Sequence, residues 1–221
     1  MPFMLYLFFF SAILFYPGSA ESGDLPAEEL IAKIQAAYEG VNDLTASFDQ
    51  ETVIQGFKTP IKSKGELFLK KKDKMKLAYR QPKKEEILIN GKQMITYLPD
   101  QHQAIQGIFS KEEESRLPLR LLSGEAILKN EFEIQSSPGQ RKKPFHLLLT
   151  PRQKEGNLEK IELEVDPSTY LIKSLLLYQP NQNYSSFRFS NIRINPGIKE
   201  SLFHFIPPEG TEVLNPFIPT K

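Results

Sequence analysis

Apolar and charged side chains alternate through the middle of this chain. Between Gly65 and Gln103, apolar residues fall at every second position: Leu67 and Leu69; Met75, Leu77 and Tyr79; Ile87 and Ile89; Ile95 and Tyr97. A period of two puts one set of side chains on one face of a sheet and leaves lysines and glutamates on the other. Turn residues punctuate the runs at Lys72-Asp73, Gln81-Pro82, Asn90-Gly91 and Pro99-Asp100. Asn90-Gly91 is the strongest of these signals, because both residue types tolerate the positive φ of a type I′ hairpin. The stretch therefore reads as four strands of an antiparallel meander with one apolar face. That face needs a cover.

Two segments break the alternation and supply candidates for the cover. From Asp24 to Asn42, residues Leu30, Ile31, Ile34, Ala37, Tyr38 and Val41 form one apolar stripe at helical spacing. Asp24 can cap this helix, Pro26 suits its first turn, and Glu28-Glu29 complement its positive end. From Arg116 to Gly124, Pro118, Leu119, Leu121 and Leu122 describe a second, short apolar helix ending at a glycine, with Glu125 to Asn130 extending or flanking it. A helix this short must lie against something. Elsewhere strand-like runs return at Leu44–Ile54, Ile105–Phe109, Phe132–Ile134, the almost wholly apolar Pro144–Thr150, the cleanly alternating Leu158–Val165, Tyr170–Tyr178, Tyr184–Ile194 and a last short run at Phe203–Phe205. About twelve strand-like runs with two helical interruptions predict one continuous antiparallel sheet, a sandwich or a barrel.

The first twenty residues stand apart. Met1 to Tyr16 is almost unbroken apolar sequence, followed by Pro17, Gly18, Ser19 and Ala20. An apolar run that ends in a breaker and small residues reads as a secretory signal peptide, although no lysine or arginine precedes it. Residues 1–20 are expected to be that signal and 21–221 a single domain. The 221 residues carry 28 basic and 27 acidic side chains, so neither disorder nor a globally nucleic-acid-like balance is indicated. There is no cysteine, which removes thiolate chemistry, disulfides and an N-terminal lipid-bearing cysteine together.

Catalytic chemistry finds no seat. The three histidines, His102, His146 and His204, are far apart and lack partners at metal-ligand spacing. No serine sits in a nucleophile elbow, and Gly91-Lys92 lacks the upstream glycine of a phosphate loop. No cofactor or metal is expected, and no enzyme activity. From Lys58 to Lys84 eleven basic residues face only Glu66 and Asp73. With an export signal ahead of it, this stretch points to an anionic membrane surface, an acidic protein patch or a solvated strand face, and not to nucleic acid.

Several blocks, in order, resemble the LolA family of periplasmic lipoprotein carriers. They are the first helix with Ile34 and Tyr38, Leu44-x-Ala-Ser-Phe-x-Gln50, Gly65-Glu-Leu-x-Leu-Lys-Lys71, Met75, Tyr79-x-x-Pro82, Gly91-Lys92 and Tyr97-x-Pro99. Leu121-Leu122-x-Gly124, Phe145-x-Leu-x-Leu-x-Pro151, Phe187-x-Phe-Ser-Asn191, Asn195 and Phe203-x-Phe-x-x-Pro-Pro-x-Gly210-x-x-Val213 continue the series. Together they span Pro26 to Leu214. The resemblance implies a mainly β fold, an unclosed and strongly curved antiparallel barrel with a helical lid over an apolar cavity. It also implies a monomer in the periplasm that takes lipoproteins by their acyl chains from an inner-membrane ABC transporter to an outer-membrane receptor. Lys71 stands where the family carries an arginine expected to latch strand to lid, and offers the charge without the planar fork.

Acyl-chain binding is expected from apolar residues of one sheet face and the lid: Phe48, Leu67, Leu69, Met75, Leu77, Tyr79, Ile89, Ile95, Leu119, Leu122, Leu147, Leu149, Phe187 and Phe189. Two other readings stay open at this point: a carrier of another lipid or glycolipid, and a lipid-sensing regulatory domain that transports nothing. The pathway's membrane-bound receptor would share the fold, and the missing lipid-bearing cysteine argues against it.

Overall fold

The computed structural model describes residues 26–109, 116–124, 126–137, 144–153 and 157–215. The signal segment, Asp24 and the Pro138-Gly139 turn lie outside them.

Among the described residues, twelve strands form one sheet. In chain order they are β1 (Asp43–Val53), β2 (Ile61–Lys70), β3 (Lys74–Gln81), β4 (Glu85–Asn90), β5 (Gln93–Leu98), β6 (Gln103–Ile108), β7 (Phe132–Ser137), β8 (Phe145–Pro151), β9 (Lys160–Val165), β10 (Ile172–Tyr178), β11 (Tyr184–Ile194) and β12 (Glu212–Leu214). Their order across the sheet is β12-β6-β5-β4-β3-β2-β1-β11-β10-β9-β8-β7. The sheet thus ends on β12 at one edge and β7 at the other and does not close. Ile89 of β4 and Leu149 of β8 nevertheless belong to one buried core. They sit seven strands apart in the sheet order. A flat sheet would hold them roughly 34 Å apart at about 4.8 Å per strand. Curvature brings them together, with helices filling the inside.

Those helices are α1 (Ala27–Glu39), α2 (Arg116–Ser123) and the single turn α3 (Leu128–Glu131). Helix α1 turns Leu30, Ile31, Ile34 and Tyr38 onto the sheet, the stripe that the spacing predicts, and all four are buried. Each such side chain contributes about 2 kcal/mol of apolar burial. The helix runs into β1 through Val41, also buried. Asn195 holds this joint: its Oδ1 accepts the Asn42 N–H at 2.7 Å and its Nδ2 donates to the Gly40 carbonyl at 2.8 Å.

Three local expectations need correcting. The β4–β5 hairpin turns on Gly91 and Lys92, since Asn90 pairs directly with Gln93. Gly91 takes φ +63° while Asn90 does not turn positive, so the glycine leads a two-residue loop as in a type II′ turn. Phe203–Phe205 is not a strand. Glu200–Phe203 is a 3-10 turn lying outside the sheet across β3 and β4, where no ladder partner is available. The last strand comes later, as β12 pairs in parallel with the β6 edge. On its way the C-terminal segment straps the outer face: Lys70 and Lys74 both pair with Glu200, and Phe205 packs on Tyr97 at 5.1 Å.

Candidate functional site: a lidded apolar inner face

Alternation decides which residues reach the inside. In β1, Leu44, Ala46 and Phe48 point inward, and each faces an inward partner: Leu69, Leu67 and Gly65 on β2. Gly65 is required there. A Cβ at this position would meet the Ala78 carbonyl oxygen at 2.3 Å and the Phe48 ring at 2.8 Å, so the glycine makes room for the ring. Phe48 then contacts Tyr79 edge to face at 5.2 Å and Phe187 at 5.9 Å, and Phe187 stacks on Phe189. This aromatic group lies towards the end of the sheet away from the α1–β1 joint. Burial, with a smaller push from Glu85, raises the Tyr79 hydroxyl to about 12.

The structure brings most of the expected residues onto this one face. Phe48, Leu67, Leu69, Met75, Ile89, Leu122, Leu147, Leu149 and Phe189 are buried in a single core, with Leu77, Tyr79 and Phe187 half-buried against it. Leu119 lies in α2, but its side chain is outside the described part of the structure. Ile95, expected on this face, is the exception. It belongs to a small separate cluster with Leu88 and Ala104 on the outer face, under Tyr97 and Phe205. The reason is hairpin arithmetic. A two-residue turn pairs Ile89 with Met94 and Leu88 with Ile95, and directly opposed residues share a face. Met94 therefore packs against the inner core in place of Ile95.

Sequence reasoning left several inner-face residues out of the site. Ile161, Leu163 and Leu175 are at most 1 % exposed and line the half of the face built by β9 and β10. For Ile161 and Leu163 the signal is the clean alternation of 158–165; Leu175 sits in the more continuously apolar run 170–178. Nothing local announces a second group, the contacts that set the helices in place. The Ile172 N–H donates to the Tyr38 hydroxyl oxygen at 3.1 Å. Burial raises that hydroxyl to about 12, an effect partly offset by the Ile172 N–H. Gly124 ends α2 with φ +73°, and its Cα lies so close to Tyr38 that an added Cβ would fall 2.4 Å from the tyrosine Cβ. Arg120 reaches past this point to Glu131 with two parallel bonds of 2.7 and 2.8 Å. Glu131 also accepts the Ile127 N–H at 2.8 Å. One carboxylate thus ties α2, the following turn and the start of β7 together.

Lys71 sits at the foot of α1. Its ammonium donates to the Glu39 carbonyl at 2.8 Å, and its backbone N–H to the Asn42 carbonyl. A cation at the C-terminal carbonyls of a helix is favourably placed. The contact is single and end-on, as a lysine allows.

Between α1, α2 and the sheet the packing is close. Residues of α1 and α2 occupy the inside of the curve. The space enclosed by Ile34, Tyr38, Leu121, Gly124, Leu128, Leu163 and Ile172 is about 10 Å³. That is about enough for one water, against roughly 300 Å³ or more in a ligand pocket. Here an acyl chain can enter only by displacing a helix. The arrangement can hold apolar matter on a wide face and exchange it with its own cover.

Comparison with known proteins agrees with this geometry. Residues 39–206 match the family described as outer membrane lipoprotein carrier protein LolA. An outer-membrane lipoprotein carrier protein of Nitrosomonas europaea is 27 % identical over 169 residues, 76 % of this chain and 81 % of the relative. One from Coxiella burnetii (strain CbuK_Q154) is 28 % identical over 214 residues, 95 % and 93 % of the two chains. Among solved structures, an uncharacterized conserved protein from Thermus thermophilus superposes with a TM-score of 0.54 at 8 % identity. The match covers 86 % of this chain and 99 % of that one, and the two share the fold.

Proposed function

The chain belongs to the LolA family of outer membrane lipoprotein carriers, and we propose that it shields the acyl chains of a lipoprotein on its inner sheet face while they cross water. Exposed acyl chain costs about 0.8 kcal/mol per CH₂, so one long chain costs on the order of 10 kcal/mol. A carrier has to hide that surface and still give it up. A face already covered by the protein's own apolar helices does both, because the cover returns as the cargo leaves.

The family match across residues 39–206 carries this reading. The unequal anchoring of the helices supports one way of working. Helix α1 stays as core, while α2 and α3 swing away and let acyl chains lie along Leu67, Leu69, Met75, Leu77, Ile89, Leu147 and Leu149. Lys71 steadies the foot of α1. No bond is made or broken, so no catalytic group is needed. Residues 1–20 direct export and are removed, and the carrier works as a monomer in the periplasm. It is loaded by an inner-membrane ABC transporter and unloaded by an outer-membrane receptor.

Native mass spectrometry of the protein purified gently from its own periplasm tests the reading. A bound mass that releases acylated polypeptide is the expected result. Free lipid or glycolipid in its place would keep the site and change the cargo. An empty protein that also ignores a fluorescent acyl probe would overturn the carrier role.

A further inference from the structure

The β1–β2 hairpin ends in an ordered turn that displays one large apolar side chain. The Phe57 N–H bonds the Ile54 carbonyl at 3.0 Å, and Gly56 takes φ +92°. A glycine at that position makes a type II turn. The Gln55 N–H is held by Asn183 Oδ1 of the β10–β11 turn at 2.7 Å. On this fixed support Phe57 is 66 % exposed. Lys64 of β2 is level with Gln81 at the end of β3. The pairing with β1 continues from there out to Ile61. Three residues at about 3.3 Å each carry the hairpin roughly 10 Å past the end of β3.

The surroundings are cationic. Lys58 follows Phe57, and Lys83 and Lys84 form the β3–β4 turn at the same end of the sheet; all three are exposed. Neighbouring cations are matched: Lys62 with Glu51, Lys64 with Asp49, Arg80 with Glu66. Lys58, Lys83 and Lys84 have no ion-pair partner among the described residues. The acids at this end include Glu85 and Glu86, which open β4 beside Lys84, with Glu86 paired to Lys76, and, further along, Asp100 in the β5–β6 turn and Glu212 beside Gln103.

We propose that this tip is a docking surface for an anionic phospholipid bilayer, with Phe57 entering the interface and Lys58, Lys83 and Lys84 meeting the headgroups. One protruding ring flanked by unpaired lysines fits a lipid surface, where each basic residue adds attraction and an aromatic ring anchors at the boundary. It fits a protein partner poorly, since a stable protein interface buries on the order of 1,000 Å² or more with an apolar centre. The half-buried Tyr79 and Phe187 lie towards this same end, so docking would bring the inner face up to lipid. Binding of the tip to vesicles needs no cargo, and its failure would leave the carrier reading untouched.

The chain has no tryptophan, so Phe57→Trp installs a single local reporter. An apolar 1–20 segment that is still attached would bind lipid by itself; a probe at position 57 reads only the tip. With vesicles of phosphatidylglycerol diluted in phosphatidylcholine, the emission should shift to the blue, and added salt should reverse the shift. Pure phosphatidylcholine should give little change. Adding Lys83→Glu and Lys84→Glu to the reporter protein should weaken partitioning at least tenfold, with an unchanged circular dichroism spectrum showing that the fold is kept. No shift with the anionic vesicles would overturn the proposal. So would an equal shift on neutral lipid, or one that survives the charge reversals.

Discussion

The two helices that cover the inner face are held in different ways. Helix α1 has thirteen residues, buries four large side chains and is continuous with the central strand β1. Asn195 and Lys71 pin its last carbonyls, and Tyr38 accepts a backbone N–H from β10. Helix α2 has eight residues, too few to persist alone in water. It leans on α1 through Leu121 and Gly124, faces Leu44 of β1 and Leu69 of β2 through Leu122, and is tied down by Arg120 to Glu131. A cover with one firmly anchored and one lightly anchored piece would separate stability from access. On the proposed mechanism the sheet keeps a core while α2 lifts.

Truncation should expose that difference most strongly. Ile34→Ala, in α1, should cost about 3 kcal/mol of global stability in urea unfolding. Leu121→Ala, in α2, should cost roughly 1 kcal/mol globally. Most of its effect should appear as faster local hydrogen exchange around α2 and β7. Equal global costs would erase the distinction.

Leu122→Glu sharpens the comparison from the side of function. A carboxylate on the sheet-facing side of the lid, at a position 9 % exposed, should weaken binding of an acyl probe by at least tenfold. The far-UV spectrum should stay native, because β1 to β12 and α1 keep their packing. Normal probe affinity would remove α2 from the site.

Tyr38→Phe is next in size. It leaves the Ile172 N–H without its partner in the core and should cost about 1–2 kcal/mol. The same hydroxyl gives a pH signature. Its folded value, about 12, lies above the ordinary 10, so the neutral form is favoured by folding. The corresponding stability is fully present below pH 10 and is lost as pH rises through about 12. Alkaline unfolding of the Phe variant should be correspondingly less steep over that range, with Tyr79 still contributing.

The smallest expected effect is Arg120→Ala. The pair is partly exposed, with side chains 34 % and 22 % accessible, so its loss should cost about 1 kcal/mol or less. It should nevertheless speed acyl-probe uptake, since α2 is released from Glu131. Stopped-flow fluorescence against the wild type would show this.

Much of this architecture can be read from period and turn chemistry. The meander from Gly65 to Gln103, the α1 stripe and the Gly124 stop all follow from local rules, and the structure places them accordingly. Across the β4–β5 hairpin, residue type alone puts Ile95 on the face of Ile89, and that is wrong. The two-residue turn at Gly91-Lys92 makes Met94 the neighbour. Phe203-x-Phe205 shows the limit of alternation from another side. Two aromatics at period two are not a strand when the chain runs outside the sheet and buries one ring behind a 3-10 turn and the other on Tyr97. The Arg120–Glu131 tie and the Tyr38–Gly124 contact join elements far apart in the fold's logic. No spacing rule reaches them. Nor does any pattern tell a hollow from one filled by its own lid, because the same apolar residues serve both.

The division of labour between the two helices is tested most directly by hydrogen–deuterium exchange of the protein with and without a saturating acyl probe. Binding should raise exchange at the α2 amides from Arg120 to Ser123 and at α3, while amides from Ile31 to Tyr38 in α1 stay protected. Opening of α1 together with α2, or protection of both, would contradict it.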